Sequence, residues 1–572
     1  MAEAEETVPL TSKQQQQQQK GGCPCSKTVL VVIVIVAILV LIAIIIPVAV
    51  VVSKNNRPRK NSTEPEEETL TSSVRVENIM SHLKALQDIG DANTNSEIPS
   101  RSVDDQYNAS ASYVQEKLDA AGYKTWIQIF VVPVFNVLAP AVFKMTANDE
   151  RVVTFVEDYD FSVMRYSGNG SVTGEELFRL EREQKNNNDD NGEAVPTGCY
   201  AADFEKIKEG SIALLPYNTN CTYYQKARLA EDAGATAVIF YYEDEEFNTQ
   251  GPSKSRVRGD ELNETVSIPV ISLSYPLSRQ FGGDEKQKGD IIIETSTSIT
   301  MSYTYNLFAE TPYGRGDRLI VVGSHLDSVQ EGVGMNDNGS GSSTNLEIAI
   351  QIARLNLEPV NKVRFAWWGA EELGLLGSKF YTSNLTEEEI ADHALNLNFD
   401  MVGSPNYLRG VYNGSGFTDG SDEMKYACGK IQEVFEERFA QQNLSYSIVQ
   451  FTGRSDYGPF IDAEIAIPAG GLSTGADGLK TTEERNMYGG LANAAFDTCY
   501  HMECDTIDNV DQTVLGQMAD ASAYTLQKLM YVKDLKSFLS DVNYKEDNSN
   551  NEKIRFRKRR AVRIEPIYKF QP

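Results

Sequence analysis

Two of the four histidines in this 572-residue chain stand beside acidic residues, in contexts typical of metal sites. His325 lies in the run Gly-Ser-His-Leu-Asp327, and His501 lies in Cys-Tyr-His-Met-Glu-Cys-Asp. Further acidic residues stand between them, in glycine-rich or strand-end contexts: Asp337, Glu371, Glu372 and Asp400. Two imidazoles with several carboxylates are the ligand set that a pair of hydrolytic zinc ions needs.

Each of these pieces also has an ordinary structural explanation. A pair such as Glu371-Glu372 at a helix start favours the helix dipole, and Asp-Asn-Gly-Ser-Gly is a common turn sequence. The order of the pieces, each near the end of a successive strand, favours a shared metal site. His82 and His393 lack such contexts and are expected to be structural or surface residues.

The second half of the chain has the pattern of an α/β fold. Apolar strand-like runs at 318–323, 362–368 and 394–400 alternate with helical patterns at 342–355 and from Glu372 onward. This alternation predicts an α/β sheet with helices on both faces. Active sites of such sheets lie at the carboxyl ends of the strands, where His325, Glu371, Glu372 and Asp400 stand.

A segment of different texture, 140–290, interrupts the fold. It contains short strand-like runs at 211–216, 237–242 and 268–273, with a helical pattern at 221–234. It is preceded by helical patterns from Val76 and at 112–121 and by an alternating strand-like run at 125–132. These patterns predict a β-rich segment that is distinct from the α/β part of the chain.

The N-terminal region carries a candidate membrane anchor. Residues 28–52 hold no charge and, as a helix, would span roughly 37 Å, enough to cross a hydrocarbon core of about 30 Å. A cleaved signal peptide is the alternative, but its apolar core would be only about 7–15 residues. We expect a cytoplasmic, glutamine-rich tail (1–27), a transmembrane helix (28–52), a stalk (53–73) and a C-terminal tail (533–572).

Other features predict that the rest of the chain faces a vacuolar lumen or the outside, as in a type II membrane protein. The net charge of −28 bears on a separate question, the choice of partner, and argues against nucleic acid. Cys199 could pair with Cys221, and Cys499 with Cys504, as an oxidising compartment allows. Cys428 is left over, and Cys23 and Cys25 are candidates for acylation or free thiols. Asn-X-Ser/Thr acceptor sequences for glycosylation occur at Asn61, Asn108, Asn169, Asn220, Asn263, Asn384, Asn413 and Asn443. A further one, at Asn338, is expected to stay unmodified because it lies in the proposed metal loop.

Taken together, the motifs resemble those of the M28 family of zinc aminopeptidases. The resemblance covers roughly 74–532, and the 140–290 segment resembles the protease-associated (PA) domain. It therefore implies a peptidase domain built from 74–139 and 291–532, with a mixed central sheet flanked by helices, and a β-rich PA domain inserted into it. The motifs that carry it are Gly323-Ser-His325-Leu-Asp327, Gly334-Met-Asn-Asp337-Asn-Gly-Ser-Gly341, Trp368-Gly-Ala-Glu371-Glu372-Leu-Gly, Asn398-Phe-Asp400-Met-Val-Gly, Gly453-Arg454-Ser-Asp456-Tyr-Gly and Tyr500-His501.

The resemblance assigns a role to each site residue. It implies two zinc ions, one held by His325 and Asp400, the other by Glu372 and His501, with Asp337 bridging both. Glu371 would be the general base and Tyr500 the donor to the oxyanion. Asp327 is placed to accept the second N–H of His325, and Arg454 is a candidate for holding substrate or for a structural salt bridge.

These residues predict a membrane-anchored di-zinc aminopeptidase that removes N-terminal, apolar residues from peptides with a free N-terminus. A glutamate-carboxypeptidase-type relative is the alternative, although little chain follows His501 to form that group's helical dimerisation domain. A single-zinc glutaminyl cyclase and a receptor-like protein without activity are disfavoured because the five-ligand set is complete. The oligomeric state stays open.

Overall fold

The computed structural model describes residues 68–540, apart from 93–97, 104, 147–150, 175–176, 181–196, 219, 243–250, 260–261, 282–289 and 419. The predicted cytoplasmic tail, the anchor at 28–52 and most of the stalk and the C-terminal tail lie outside these residues. Among the helices within the described ranges, none is both long and apolar enough to cross a bilayer.

Two sets of elements build the described part of the chain. The helices are α1 (Leu70–Ser73), α2 (Val76–Asp91), α3 (Tyr107–Ala121), α4 (Tyr223–Asp232), α5 (Tyr275–Phe281), α6 (Gly341–Arg354), α7 (Leu376–Ser383), α8 (Glu387–Asp392), α9 (Asp422–Gln441), α10 (Gly458–Ile461), α11 (Thr482–Tyr488), α12 (Gln512–Tyr531) and α13 (Leu535–Ser540). The strands are β1 (Lys124–Thr146), β2 (Val152–Thr154), β3 (Phe161–Val163), β4 (Gly170–Gly174), β5 (Leu177–Arg179), β6 (Ile212–Pro216), β7 (Ala237–Tyr241), β8 (Val270–Leu273), β9 (Ile291–Glu310), β10 (Arg315–His325), β11 (Asn361–Trp368), β12 (His393–Phe399), β13 (Gly410–Tyr412), β14 (Ser447–Val449) and β15 (Ala469–Ser473).

The larger sheet is mixed, which confirms the predicted mixed central sheet. Its order is β14-β13-β15-β12-β10-β11-β9-β1-β2, with β4 also paired to β9. The strands β10, β11, β12 and β15 run parallel, whereas β9 and β1 are antiparallel to their neighbours. Val322 at the centre faces Phe365 of β11 and Leu397 of β12.

Helices cover both faces of this sheet, as the continuous apolar run of β10 requires. Ile320 and Val322 pack into the main core, with residues of α2, α3, α6, α9 and α12. Leu319 and Val321 point to the opposite face and pack with Trp368, Tyr381 and Phe460. Because successive side chains of a strand point to opposite faces, Ile320 and Val322 pack in one core and Leu319 and Val321 in the other.

The inserted segment is more helical than predicted and shares strands with the larger sheet. Its own five-stranded sheet, β3-β8-β7-β6-β5, is mixed and is accompanied by α4 and α5. The strands β1 and β9 pair from Lys124 and Glu310 to Met145 and Ile291, so they lead into and out of the insertion. A disulfide joins Cys199 to Cys221 within it.

Two local expectations were wrong. The helix expected from Glu372 begins only at Leu376, because Gly374 and Leu375 have φ values of 106° and 61°, outside the helical region. Glu371 and Glu372 therefore stand on a turn. The helix α1 lies inside the predicted stalk: Leu70 is fully buried and its N–H donates to the Gln527 side chain.

Candidate metal centre

The predicted ligands meet at the carboxyl ends of the central parallel strands. His325 is the last residue of β10, Asp400 directly follows β12, and Glu371 and Glu372 follow β11. Asp337 lies in the irregular segment Met335–Ser340 that leads into α6, with a cis peptide bond to Asn338. Side chains from separate strands are close because these strands are neighbours in the sheet.

The carboxylate of Asp337 lies between the two imidazoles. Its Oδ1 is 3.2 Å from Nε2 of His325, and its Oδ2 is 3.2 Å from Nε2 of His501. His325 Nε2 is also 3.3 Å from Asp400 Oδ1, and His501 Nε2 is 3.1 Å from Glu372 Oε2. The five residues thus form two groups that share Asp337.

These distances fit two metal ions. Two ligands at ordinary zinc distances and a tetrahedral angle stand about 3.3 Å apart. The described residues include several buried side-chain atoms that have no hydrogen-bond partner. Three of these atoms lie at this site: His325 Nε2, Glu372 Oε1 and Asp400 Oδ1. Buried polar atoms are normally paired, so these atoms are suited to bind ions.

The imidazole of His325 is held by the backbone carbonyl of Asp327, whereas the sequence predicted a bond to the Asp327 carboxylate. Its Nδ1 lies 3.0 Å from the carbonyl oxygen of Asp327 and 3.8 Å from that residue's Oδ1. A carbonyl only accepts, so Nδ1 carries the hydrogen and Nε2 keeps its lone pair for an ion. The Asp327 carboxylate instead accepts the N–H groups of Glu371 (3.1 Å) and Glu372 (3.2 Å) and so anchors their turn.

The site has a strongly negative field. Although burial opposes their protonation, Asp400 and Glu371 raise the pKa of His325 well above its usual range, and Glu372 and Asp337 raise the pKa of His501 to about 10. Burial, followed by the charges of Glu372, Asp456 and Asp400, outweighs His325 and raises the pKa of Glu371 well above normal. Such a field favours bound cations.

A second acidic residue, Asp505, holds the backbone of the Asp337 segment in place. Its Oδ1 accepts the N–H of Asn336 at 2.9 Å, and its Oδ2 accepts that of Asp337 at 3.0 Å. Asp505 follows Cys504, which forms a disulfide with Cys499 around His501. Sequence reasoning missed Asp505, although its position beside the His501 motif was a signal.

Three further residues near the ligands were not assigned from the sequence. Ser455 donates its hydroxyl to Asp400 Oδ2 at 2.5 Å and accepts from Asn398 Nδ2 at 2.8 Å. Ser455 and the buried Asp456 were visible within the Arg454 motif. Arg101, fully buried, donates to the carbonyls of Leu326, Val333 and Gly334, and no sequence motif marked it.

Tyr500 and Arg454 lie together at the edge of a cavity. The rings of Tyr500 and His501 stack with centroids 3.8 Å apart, and Arg454 Nη2 donates to Tyr500 Oη at 3.3 Å. Arg454 also pairs with Asp477 at 3.1 Å, so it makes both a salt bridge and a contact at the site. The cavity measures about 230 Å³, and its lining includes Asp337, Glu371, Asp400, Met401, Leu408, Tyr412, Val449, Phe496 and Tyr500.

The remaining histidines are structural. His82 is buried, and its Nδ1 lies 2.8 Å from Tyr113 Oη. His393 is buried as well, with Nδ1 donating to the Glu389 carbonyl at 2.6 Å and Nε2 accepting from Tyr381 Oη at 2.6 Å. Both lie in hydrogen-bonded packing contexts, outside the groups that converge on Asp337.

Comparison with known proteins places this site in a family. The profile of "Peptidase family M28" matches residues 306–526, and that of "PA domain" matches 191–280. The chain is 37% identical over 467 residues to an aminopeptidase of Pseudomonas aeruginosa strain PAO1, covering 80% of this chain and 81% of that protein. It is 31% identical over 490 residues to a probable leucine aminopeptidase 2 of Trichophyton verrucosum, covering 82% and 87%.

Solved structures agree on the fold. An aminopeptidase from Aneurinibacillus sp. strain AM-1 superposes with a TM-score of 0.61 at 21% identity, covering 81% of this chain and 95% of that one. A Bacillus subtilis protein described as a zinc aminopeptidase gives 0.55 at 21% identity, covering 82% and 98%. With sequence and fold in agreement, the chain belongs to peptidase family M28 and is a hydrolase of peptide bonds.

Proposed function

We propose that this protein is a membrane-anchored di-zinc aminopeptidase that removes apolar residues from the free N-termini of peptides. The observation that carries the proposal is the placement of Asp337, which offers one carboxylate oxygen to the His325–Asp400 group and the other to the Glu372–His501 group. A carboxylate shared in this way suits two cations about 3.5–4 Å apart. Relatives named aminopeptidase support the same reading.

Glu371 is suited to carry the proton during hydrolysis. Its carboxyl group lies with those of Asp337 and Asp400 in the cavity lining, and one of its oxygens is within 4.8 Å of the ligand atoms of His325 and Asp400. It would take a proton from the attacking water and return it to the leaving amine nitrogen. When bound, the zinc pair supplies Lewis-acid polarisation of the scissile carbonyl and lowers the pKa of water.

Tyr500 is suited to stabilise the carbonyl oxygen as negative charge develops there. Because Arg454 donates to the Tyr500 oxygen, the tyrosine's own hydrogen stays available for the substrate. This contact gives Arg454 a positioning role in place of a direct hold on substrate. Burial is the main cause that raises the pKa of Tyr500 well above normal, so the hydroxyl remains a donor.

The cavity favours an apolar N-terminal residue. Met401, Leu408, Tyr412, Val449 and Phe496 supply apolar lining. At about 230 Å³ the cavity is smaller than the ~300–1,000 Å³ of pockets for drug-sized ligands, so it suits one side chain. The cationic amine of the substrate would face the carboxylates of Glu371 and Asp400 at the same site.

Glu371→Gln tests the chemical role most sharply. Glutamine keeps the size of the side chain but cannot accept a proton, so turnover should fall by about 10²–10⁴-fold while two zinc ions are retained. The measurement is hydrolysis of leucyl-chromophore substrates together with zinc content by elemental analysis. Glu423→Gln, an exposed glutamate in the first turn of α9, is the matched control and should leave both values unchanged. Wild-type turnover in Glu371→Gln would remove Glu371 from this role.

The requirement for a free N-terminus is tested with paired substrates. Free and N-acetylated leucyl peptides of equal length should differ by several orders of magnitude in kcat/KM. Equal rates on both would defeat the aminopeptidase proposal. Preferred release of a C-terminal glutamate from blocked peptides would instead favour the carboxypeptidase alternative.

A further inference from the structure

Three arginines of the inserted domain are placed side by side against the peptidase domain. Arg165 follows β3, and its backbone pairs with that of Arg256, while the Val257 N–H donates to the Arg165 carbonyl at 2.9 Å. Arg258 lies two residues beyond Arg256 and is stacked over the Tyr166 ring at 5.1 Å. Backbone pairing therefore directs one cationic edge of the insertion toward the site.

Arg165 reaches the loop that supports His501. Its Nη2 lies 3.3 Å from Glu331 Oε2, and the two side chains are only 25% and 33% exposed. The next residue, Gly332, packs so closely on the backbone of Met502 that a Cβ there would collide with the Met502 carbonyl. Met502 directly follows His501. The ion pair therefore holds the Glu331–Gly332 segment, against which the His501 loop packs.

Arg256 and Arg258 reach the turn that carries Glu372. Arg258 Nη2 donates to the Leu373 carbonyl at 3.5 Å. The Arg256 guanidinium lies directly against Gly374, where the φ of 106° favours glycine and a Cβ would force the arginine to shift. Both contacts fall within two residues of Glu372.

The electrostatics point the same way. Burial lowers the pKa of Arg165, but the charges of Glu331 and Glu372 and the Tyr500 side chain outweigh it and raise the pKa. Arg165 is therefore cationic and lies within electrostatic reach of the Glu372–His501 group. The His325–Asp400 group is supported from within the peptidase domain. Ser455 donates to Asp400, and Arg101 donates to the carbonyl of Leu326, the residue after His325.

We propose that the inserted domain positions one half of the metal centre, the Glu372–His501 half, through the Arg165–Glu331 ion pair and the arginine contacts with Leu373 and Gly374. The insertion is then part of what sets affinity for one of the two zinc ions. This inference rests on the proposed di-zinc function and adds a role for the domain that lies beside the site.

The test measures the two zinc affinities separately. The full-length protein is stripped with a chelator, and zinc is returned in competition with a chromophoric chelator to obtain two dissociation constants. In Arg165→Met one of the two constants, assigned to the Glu372–His501 half, should weaken about 10-fold, within the range seen when supporting partners of metal ligands are removed, while the other constant stays within twofold. Glu331→Gln should reproduce this pattern, and the double variant should be no worse than either single variant.

Arg228→Met is the matched control. Arg228 is an ion-paired arginine of the same domain, on α4, with Glu231 and Asp232 as partners. It should change neither zinc constant. Thermal unfolding of the stripped proteins monitors folding, since general destabilisation would not weaken one zinc selectively.

Two results would overturn the inference. Equal weakening of both constants in Arg165→Met, or no change in either, would show that the insertion does not position one half of the site. A wild-type protein that binds fewer than two zinc ions would instead defeat the proposed function, and the inference with it.

Discussion

At the scale of single residues, the site depends on two kinds of carboxylate. Some accept backbone N–H groups of neighbouring segments, and others are the proposed metal ligands. Asp327 accepts two backbone N–H groups of the Glu371–Glu372 turn, and Asp505 accepts two from the Asp337 segment. Each fixes a ligand by fixing its backbone. The ligand set therefore has a supporting layer of acidic residues, as metal sites generally do.

Asp505→Asn should weaken metal binding. The amide leaves one of the Asn336 and Asp337 N–H groups facing an NH2 group, so a buried donor loses its acceptor. We expect zinc affinity to fall by about 10–100-fold, measured by competition with a chromophoric chelator. Asp508→Asn, on an exposed residue three positions later, is the control and should bind zinc like the wild type. Unchanged affinity in Asp505→Asn would show that the clamp on Asp337 is unimportant.

The sequence predicted the residues that converge around Asp337 better than the residues that support them. His325, Asp337, Glu371, Glu372, Asp400 and His501 stand out in the sequence because they cluster after predicted strands, in a glycine-rich loop and between two cysteines. The partners of Asp327 could not be foreseen, because they belong to a turn more than forty residues away that only the parallel pairing of β10 and β11 brings near. Arg101 could not be foreseen either, because its acceptors are backbone carbonyls, which no side-chain motif marks.

At the scale of elements, strand order determines which side chains meet, and local φ values determine how they are presented. The pattern of buried runs was enough to predict β10, β11, β12 and α6 to within a few residues. It failed at 371–375, where left-handed φ values at Gly374 and Leu375 make a turn in place of a helix. Left-handed φ also occurs at the proposed ligand His501 (57°) and beside proposed site residues at Ala370 (60°) and Met401 (52°), which is typical of functional sites.

The junction of α8 with β12 should make the fold sensitive to acid through His393. Burial is the main cause that lowers the pKa of this imidazole to about 4. Between pH 6.5 and 4 the unfolded chain binds the proton and the folded chain does not, so the free energy of unfolding falls as the pH falls. The shift corresponds to about 3 kcal/mol lost across that window.

Chemical unfolding of metal-stripped wild type and His393→Gln at several pH values checks this expectation. Glutamine can keep a donor and an acceptor but does not titrate, so its unfolding free energy should decline less steeply between pH 6.5 and 4. Parallel declines in the two proteins would contradict the assignment to His393.

At the scale of the whole molecule, the chain combines an M28 peptidase domain, a PA domain and a proposed membrane anchor. The described part of the chain carries both disulfides, and the glycosylation sequences at Asn108, Asn169, Asn220, Asn263 and Asn384 are exposed. Asn338 is fully buried, which agrees with the expectation that it stays unmodified. A lumenal or extracellular location remains a prediction.

Removal of residues 1–67 should release the protein from membranes without loss of activity. The site lies entirely within the described part of the chain, whereas the apolar run at 28–52 supplies the proposed anchor. We expect the full-length chain to stay with membranes in alkaline carbonate and the shortened chain to be soluble, with kcat within about twofold because the site is unchanged. Sedimentation of the shortened chain with membranes would contradict the anchor.

The most direct test of the central claim is anomalous X-ray scattering at the zinc edge from crystals of the purified protein. The account predicts two zinc peaks about 3.5–4 Å apart, one beside His325 and Asp400, the other beside Glu372 and His501, with Asp337 between them. A single peak, or two peaks that do not share Asp337, would contradict it.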